Sequence, residues 1–176
     1  MPTLPATPHR YYAPSGGMPP QGKTADDKAI FTTAYAVIPR TVIMDIVASF
    51  LPYWQGTRLW VLARPLSGFA ETFSHYLMEV APGGGSTRPE DDDQAQAVIF
   101  VVAGAMQLTI AGKAYEMGPG GYAYIPAGES WQVANNSDAR TVFHWIRKRY
   151  HSLDGIAAPD ALVTSDDAVA PTMMPD

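Results

Sequence analysis

The residues of this chain that could do chemistry are few: four histidines, one run of acids and one basic cluster. His9 lies near the start and His151 follows the last predicted strand, while His75 and His144 fall on separate strands that could bring them together. Paired imidazoles can bind transition metals or move protons near neutral pH, but a lone strand histidine is more often packed or surface-exposed than a ligand. Glu90, Asp91, Asp92 and Asp93 are consecutive. Their oxygens suit hard cations such as Ca2+ or Mg2+, yet four adjacent carboxylates on a loop read first as a solvated turn. The basic cluster is RKRYH, residues 147–151. It could face a partner's carboxylates or a substrate anion, and it is too short to read as a nucleic-acid surface. Gly83-Gly84-Gly85 lacks the strand–turn–helix setting and the Lys-Ser/Thr pair of a phosphate loop. The chain has no cysteine, which excludes thiolate chemistry and disulfides.

The elements that must position these residues read as all-β. Between residues 29 and 151, short β-branched and aromatic runs are cut by Pro and Gly. The predicted strands are AIFTTAYAVIP, TVIMDIVASFLPY, TRLWVLARP, ETFSHYLMEV, QAVIFVVAG, AMQLTIAG, KAYEM, GGYAYIP, SWQVAN and ARTVFHWIRKRY, and DIVASFL also admits a short helix. Alternation assigns faces. In ETFSHYLMEV, Phe73, His75 and Leu77 point one way and Ser74, Tyr76 and Met78 the other. Residues 1–28, rich in Pro, Gly and polar side chains, are expected to form an extended arm whose Tyr11, Tyr12 and Pro14 could pack on a neighbour. Residues 152–176 carry five aspartates and no Lys or Arg among Ala, Pro and Thr, the composition of a linker. The net charge of −5 argues against nucleic acid and anionic membrane as partners. The first residues lack the apolar core of a signal peptide, and no apolar run is long enough to span a bilayer. With no cysteine, these features predict a cytoplasmic location.

One stretch fixes the kind of barrel. In GPGGYAYIPAGESWQVANN, counting from Gly120 gives G-x5-P-x-G-x2-W-x3-N, ending at Asn135. This resembles the second signature of the cupin barrels, G-x5-P-x-G-x2-H-x3-N, with Trp131 in place of the metal-binding histidine. The counterpart of the first signature, G-x5-H-x-H-x3–4-E-x6-G, ends at Gly104. Counting back, the glutamate position falls on Ala97, or on Gln96 with a one-residue slip, and the histidine positions on Asp91 and Asp93, or Glu90 and Asp92. The imidazoles of the usual site are all missing, so this barrel is expected to hold no metal. If Trp131 takes the ligand's place it points inward, either plugging the cavity or offering a stacking surface for a small ligand. Gln96 and Asn135 would then stand near it at the barrel mouth. The fold expected is a cupin jelly roll over residues 29–151, with an arm before it and a linker after it.

Further blocks carry a closer resemblance. YYAPSGGMPP, RLWVLARPLSGFAE, GGYAYIPAGESW and FHWIRKRYHSLDG make the chain, from Tyr11 onward, similar to the amino-terminal half of the bacterial (S)-ureidoglycine aminohydrolases. These are two-cupin proteins of allantoin breakdown, also called glyoxylate-induced proteins. The resemblance implies a hydrolysis of ureidoglycine to ureidoglycolate and ammonia, with a manganese ion (Mn2+) held by the second cupin. It implies no catalytic residue in this half, because the ligand positions belong to the other. The partners implied are that second cupin and further copies of the chain. The chain reaches TMMPD inside the linker, where a second cupin is expected to begin. A reading from another class is a stand-alone, metal-free cupin that binds a small ureide through Trp131, Gln96 and Asn135. A third is an enzyme with an unusual metal site built from His75, His144 and nearby carboxylates.

Overall fold

The structure is a computed structural model that describes residues 29–32, 34–39, 51–63 and 72–173. The arm predicted over residues 1–28, and most of the run TVIMDIVASFLPY with its alternative helix, lie outside the described residues. AIFTTAYAVIP is not one strand but a small antiparallel pair, β1 (Ile30–Phe31) and β2 (Ala36–Val37). The cause is local. The Thr32 hydroxyl accepts the Ala34 and Tyr35 N–H groups and donates to the Tyr35 carbonyl, so the chain reverses there.

Nine further strands form a single sheet that curls into a nearly closed barrel. They are β3 (Gln55–Ala63), β4 (Ser74–Ser86), β5 (Ala95–Ala103), β6 (Met106–Ile110), β7 (Lys113–Met117), β8 (Gly121–Ile125), β9 (Trp131–Ala134), β10 (Thr141–Arg149) and β11 (Leu162–Ser165). The hydrogen-bonded order is β11-β8-β5-β10-β4-β9-β6-β7, with β3 on the other side of β4. All these pairings are antiparallel. Among the described residues no helix is long and apolar enough to cross a membrane.

Alternation decides which side chains go inside. Along β5, Ala97, Ile99 and Val101 are buried while Gln96, Val98 and Phe100 lie on the other face and are only partly covered. Along β10, Phe143 and Trp145 enter the interior and His144 and Ile146 do not. Leu108 and Ile110 of β6, Met78 and Val80 of β4 and Val133 of β9 complete that interior. The hairpin between β6 and β7 turns on Ala111 and Gly112, whose φ angles of 49° and 80° are both positive, as a type I′ turn requires.

Two features depart from the strand pattern expected of the sequence. Strand β4 runs on through Ala81-Pro82-Gly83-Gly84-Gly85-Ser86, changing partners as it goes. Its first half pairs with β3 and β10, and Gly85 and Ser86 pair with β9. The glycines make the bend. Gly85 has φ +143°, and a Cβ there would stand 2.1 Å from the Val133 carbonyl oxygen. The second departure is β11. Four residues of the segment read as a linker pair with the outer edge of β8, Leu162 opposite Tyr124 and Ser165 opposite Gly121. A 3-10 turn, Asp166–Ala168, follows, and the Asp166 N–H donates to the Gly120 carbonyl.

Candidate functional site

Three segments meet at one end of the barrel: the β4–β5 connection (87–94), the β8–β9 turn (126–130) and the end of β10. Beneath them sits Trp131, the first residue of β9, 6% exposed and turned into the core. Its ring meets Trp145 edge-on at 5.7 Å, and Trp145 in turn contacts Trp54 at 5.7 Å and Tyr76 at 5.4 Å. Trp54 lies 6.2 Å from Phe143 and donates its indole N–H to the Pro89 carbonyl. These aromatic rings pack against one another in the barrel interior. Ala97, at the glutamate position, is buried in the same cluster. Among the described residues, no three His, Asp or Glu side chains converge as a metal's ligands would.

The three residues expected to share a ligand do not come together. Gln96 lies on the face of β5 opposite Ala97, and its Oε1 accepts the Tyr124 hydroxyl at 2.7 Å. Asn135 is 1% exposed and fully used. Its Nδ2 donates to the Val80 and Ala139 carbonyls, and its Oδ1 accepts the Ser137 N–H and hydroxyl. It ties the β9–β10 connection to β4 and offers a ligand nothing. Only Trp131 stands at the mouth.

The structure instead joins two features that the sequence presents separately. The acidic run meets the basic cluster. Arg147 grips Glu90 with two nitrogens, Nε on Oε2 and Nη2 on Oε1, both at 2.6 Å. Arg149 Nε reaches Asp92 Oδ2 at 2.7 Å and holds that carboxyl below its usual range. Arg88 pairs with Asp91 at 2.7 Å. The run is thus neither a bare solvated turn nor a cation cage, but one side of an ion-pair belt across the barrel end. Its members differ in weight. Glu90 is 9% exposed, whereas Arg149 is 64% exposed. Arg147→Met is therefore expected to cost about 2 kcal/mol by leaving Glu90 unpaired, and Arg149→Met less than about 1 kcal/mol. Urea unfolding of the two variants, compared with wild type, checks the ranking; equal losses would contradict it.

His75 and His144 do meet, on the outer face of the sheet. His75 Nε2 and His144 Nδ1 are 2.9 Å apart. Burial, and secondarily the neighbouring imidazole, lowers the His75 pKa to about 4. Burial lowers that of His144 as well. The buried Glu79 lies two positions along β4 from Leu77 on the same face and is paired with Arg58 and Arg140; among the described residues no third ligand group completes a metal site with the two imidazoles.

Between the β4–β5 connection and the β8–β9 turn lies a cleft of about 300 Å³ with Trp131 in its lining. Asp93 and Glu129 line it too, and neither has an ion-pair or hydrogen-bond partner for its carboxylate among the described residues. The sequence reading missed Glu129, although it stands two residues before Trp131 in the quoted motif.

Comparisons with known proteins agree with this geometry. Residues 76–147 match the family model for a cupin domain. The crystal structure of a protein of Pseudomonas aeruginosa, provisionally named glyoxylate-induced, superposes with a TM-score of 0.82 at 54% identity, covering 94% of this chain and 60% of that one. The (S)-ureidoglycine aminohydrolase of Escherichia coli is 22% identical over 112 residues, 64% of this chain and 42% of the relative. The Escherichia coli protein Ylba shares the fold, with a TM-score of 0.72 at 19% identity over 85% of this chain and 60% of that one. The chain thus spans 42% to 60% of the length of these relatives. The chain therefore has the all-β cupin fold, with residues 76–147 matching the cupin domain.

Proposed function

We propose that this chain is the amino-terminal, non-catalytic cupin of an (S)-ureidoglycine aminohydrolase, with an architectural role in a larger assembly. The observation that carries this reading is the filled interior. Trp131, at the motif position of the usual metal-binding histidine, packs in the interior with Trp145, Trp54 and Phe143, and Ala97 stands at the glutamate position. Manganese prefers oxygen and imidazole donors, and neither Ala97 nor Trp131 supplies one. No step of the hydrolysis is therefore assigned to this barrel. Support also comes from the likeness, at 54% identity, to a protein 60% of whose length this chain spans. The role left to such a barrel is to pack against a catalytic partner domain and further copies. The β1–β2 pair presents Ile30, Tyr35 and Val37, each at least 50% exposed, as apolar surface for that contact.

A chimera tests this. This chain would replace the matching segment of the Pseudomonas aeruginosa relative, and ammonia release from (S)-ureidoglycine would be followed with manganese present. The expected result is activity from the chimera and none from this chain alone. Turnover by this chain alone, or a folded but inactive chimera beside an active parent, would overturn the reading.

A further inference from the structure

The cleft above Trp131 has a use that the architectural role does not need. We infer that it is a binding site for a small organic ammonium that also carries a carbonyl group, of the class of an α-amino amide. Two independent features point to this ligand chemistry.

The first is charge. The lining includes the carboxylates of Glu90, Asp91, Asp92, Asp93 and Glu129. Arg147, Arg149 and Arg88 neutralise Glu90, Asp92 and Asp91. That leaves Asp93 and Glu129, from opposite walls, outside these ion pairs, with Arg149 close enough to Asp93 to feel its charge and Glu129 the less compensated of the two. Two like charges beside one low-dielectric surface attract a cation and repel an anion.

The second is Trp131. It is 6% exposed, it lines the cleft, and its indole N–H has no hydrogen-bond partner among the described residues. The three other tryptophans differ from it. Trp54 is bonded to Pro89, and the Trp60 and Trp145 nitrogens are sealed from solvent. An indole N–H donates only, so it calls for an acceptor such as a carbonyl oxygen. A ligand with an ammonium at one end and a carbonyl at the other meets both demands at once.

Size is consistent. At the roughly 30 Å³ that a water occupies in the liquid, a cleft of about 300 Å³ holds about ten non-hydrogen atoms. So small a ligand binds weakly, and a millimolar dissociation constant is expected.

Glycinamide is the probe, with acetamide as the uncharged control and acetate as the anionic one. Four indole N–H signals are followed by two-dimensional NMR of the whole chain, and the Trp131 signal is assigned as the one missing from Trp131→Phe. Glycinamide is expected to shift that signal saturably below about 50 mM, at least tenfold more tightly than acetamide, and acetate to leave it unmoved. Asp93→Asn with Glu129→Gln, two exposed positions outside the ion-pair belt, is expected to weaken glycinamide at least fivefold while the other indole signals stay in place. No saturable shift, equal binding of acetamide, or an unweakened double variant would each overturn the inference. It does not rest on the architectural reading: an empty cleft would leave the chimera's activity untouched, and an inactive chimera would leave the titration unchanged.

Discussion

Asn135→Asp is expected to lower the unfolding free energy by about 4 kcal/mol or more at neutral pH, roughly twice the loss from Asn135→Ala. The two side chains have nearly the same shape, so packing does not explain the difference. The amide nitrogen of Asn135 donates to the Val80 carbonyl at 2.9 Å and to the Ala139 carbonyl at 2.8 Å. A carboxylate would turn an oxygen toward both carbonyl oxygens at a position 1% exposed. It would bury a charge with no counter-ion and leave two acceptors unmatched. Alanine only leaves groups unpaired. The backbone of Asn135 also pairs with Gly83 and Gly84, so the damage falls where β4 bends from one side of the barrel to the other. Burial among acceptors would raise the new carboxyl's pKa, so part of the loss should return as pH falls. Urea unfolding at about pH 7 and about pH 5 reads both effects. If Asp costs no more than Ala, the amide donation is not what holds this corner.

The second large effect is acid destabilisation through the paired histidines. His75 titrates at about 4 in the folded chain against 6.5 for an unperturbed imidazole. As pH falls from 6.5 toward 4, the unfolded chain takes up the proton first, so the folded state loses stability across that window. At about 1.4 kcal/mol per pH unit the full loss is about 3 kcal/mol, and about 2 kcal/mol is reached between pH 7 and 5. His144, also lowered, acts in the same direction. Among the described residues, Glu79, Arg58 and Arg140 on that face are paired with one another, and Lys148 lies farther along the same face of β10. His75→Gln keeps a hydrogen-bonding side chain without the titration. It should cut the difference in stability between about pH 7 and about pH 5 by about 2 kcal/mol, even though it lowers stability at both. A pH slope identical to wild type would show that the pair does not govern it.

Strands β5, β6, β8 and β9 were legible in the sequence because each buries one face and therefore alternates, while β3, β7 and β10 were marked by their β-branched and aromatic residues between turn signals. The glycine run carries no strand signal of its own, since glycine weakens such signals even where it serves a bend. LVTS was lost in Asp- and Pro-rich surroundings, and only its pairing with β8 makes it a strand. The site was legible in part. Motif spacing put Trp131 inside the barrel, and the structure has it there. Gln96 entered through a one-residue slip in the same count, and in a strand a slip of one residue exchanges the two faces. Ala97 is the inward neighbour. The ion pairs of Glu90 with Arg147 and of Asp92 with Arg149 join residues 57 apart in sequence. No local pattern in a single chain carries that information.

Strand β11 gives the barrel one more property. It touches its own β8 at the end of a stretch, residues 151–162, that is exposed throughout. Its partner edge is the same in every copy of the chain. A tethered strand competes for that edge at an effective concentration in the millimolar range, set by the short connection. At micromolar concentrations each chain therefore keeps its own strand. Four residue pairs thus let a strand beyond the exposed stretch close the barrel edge of its own chain.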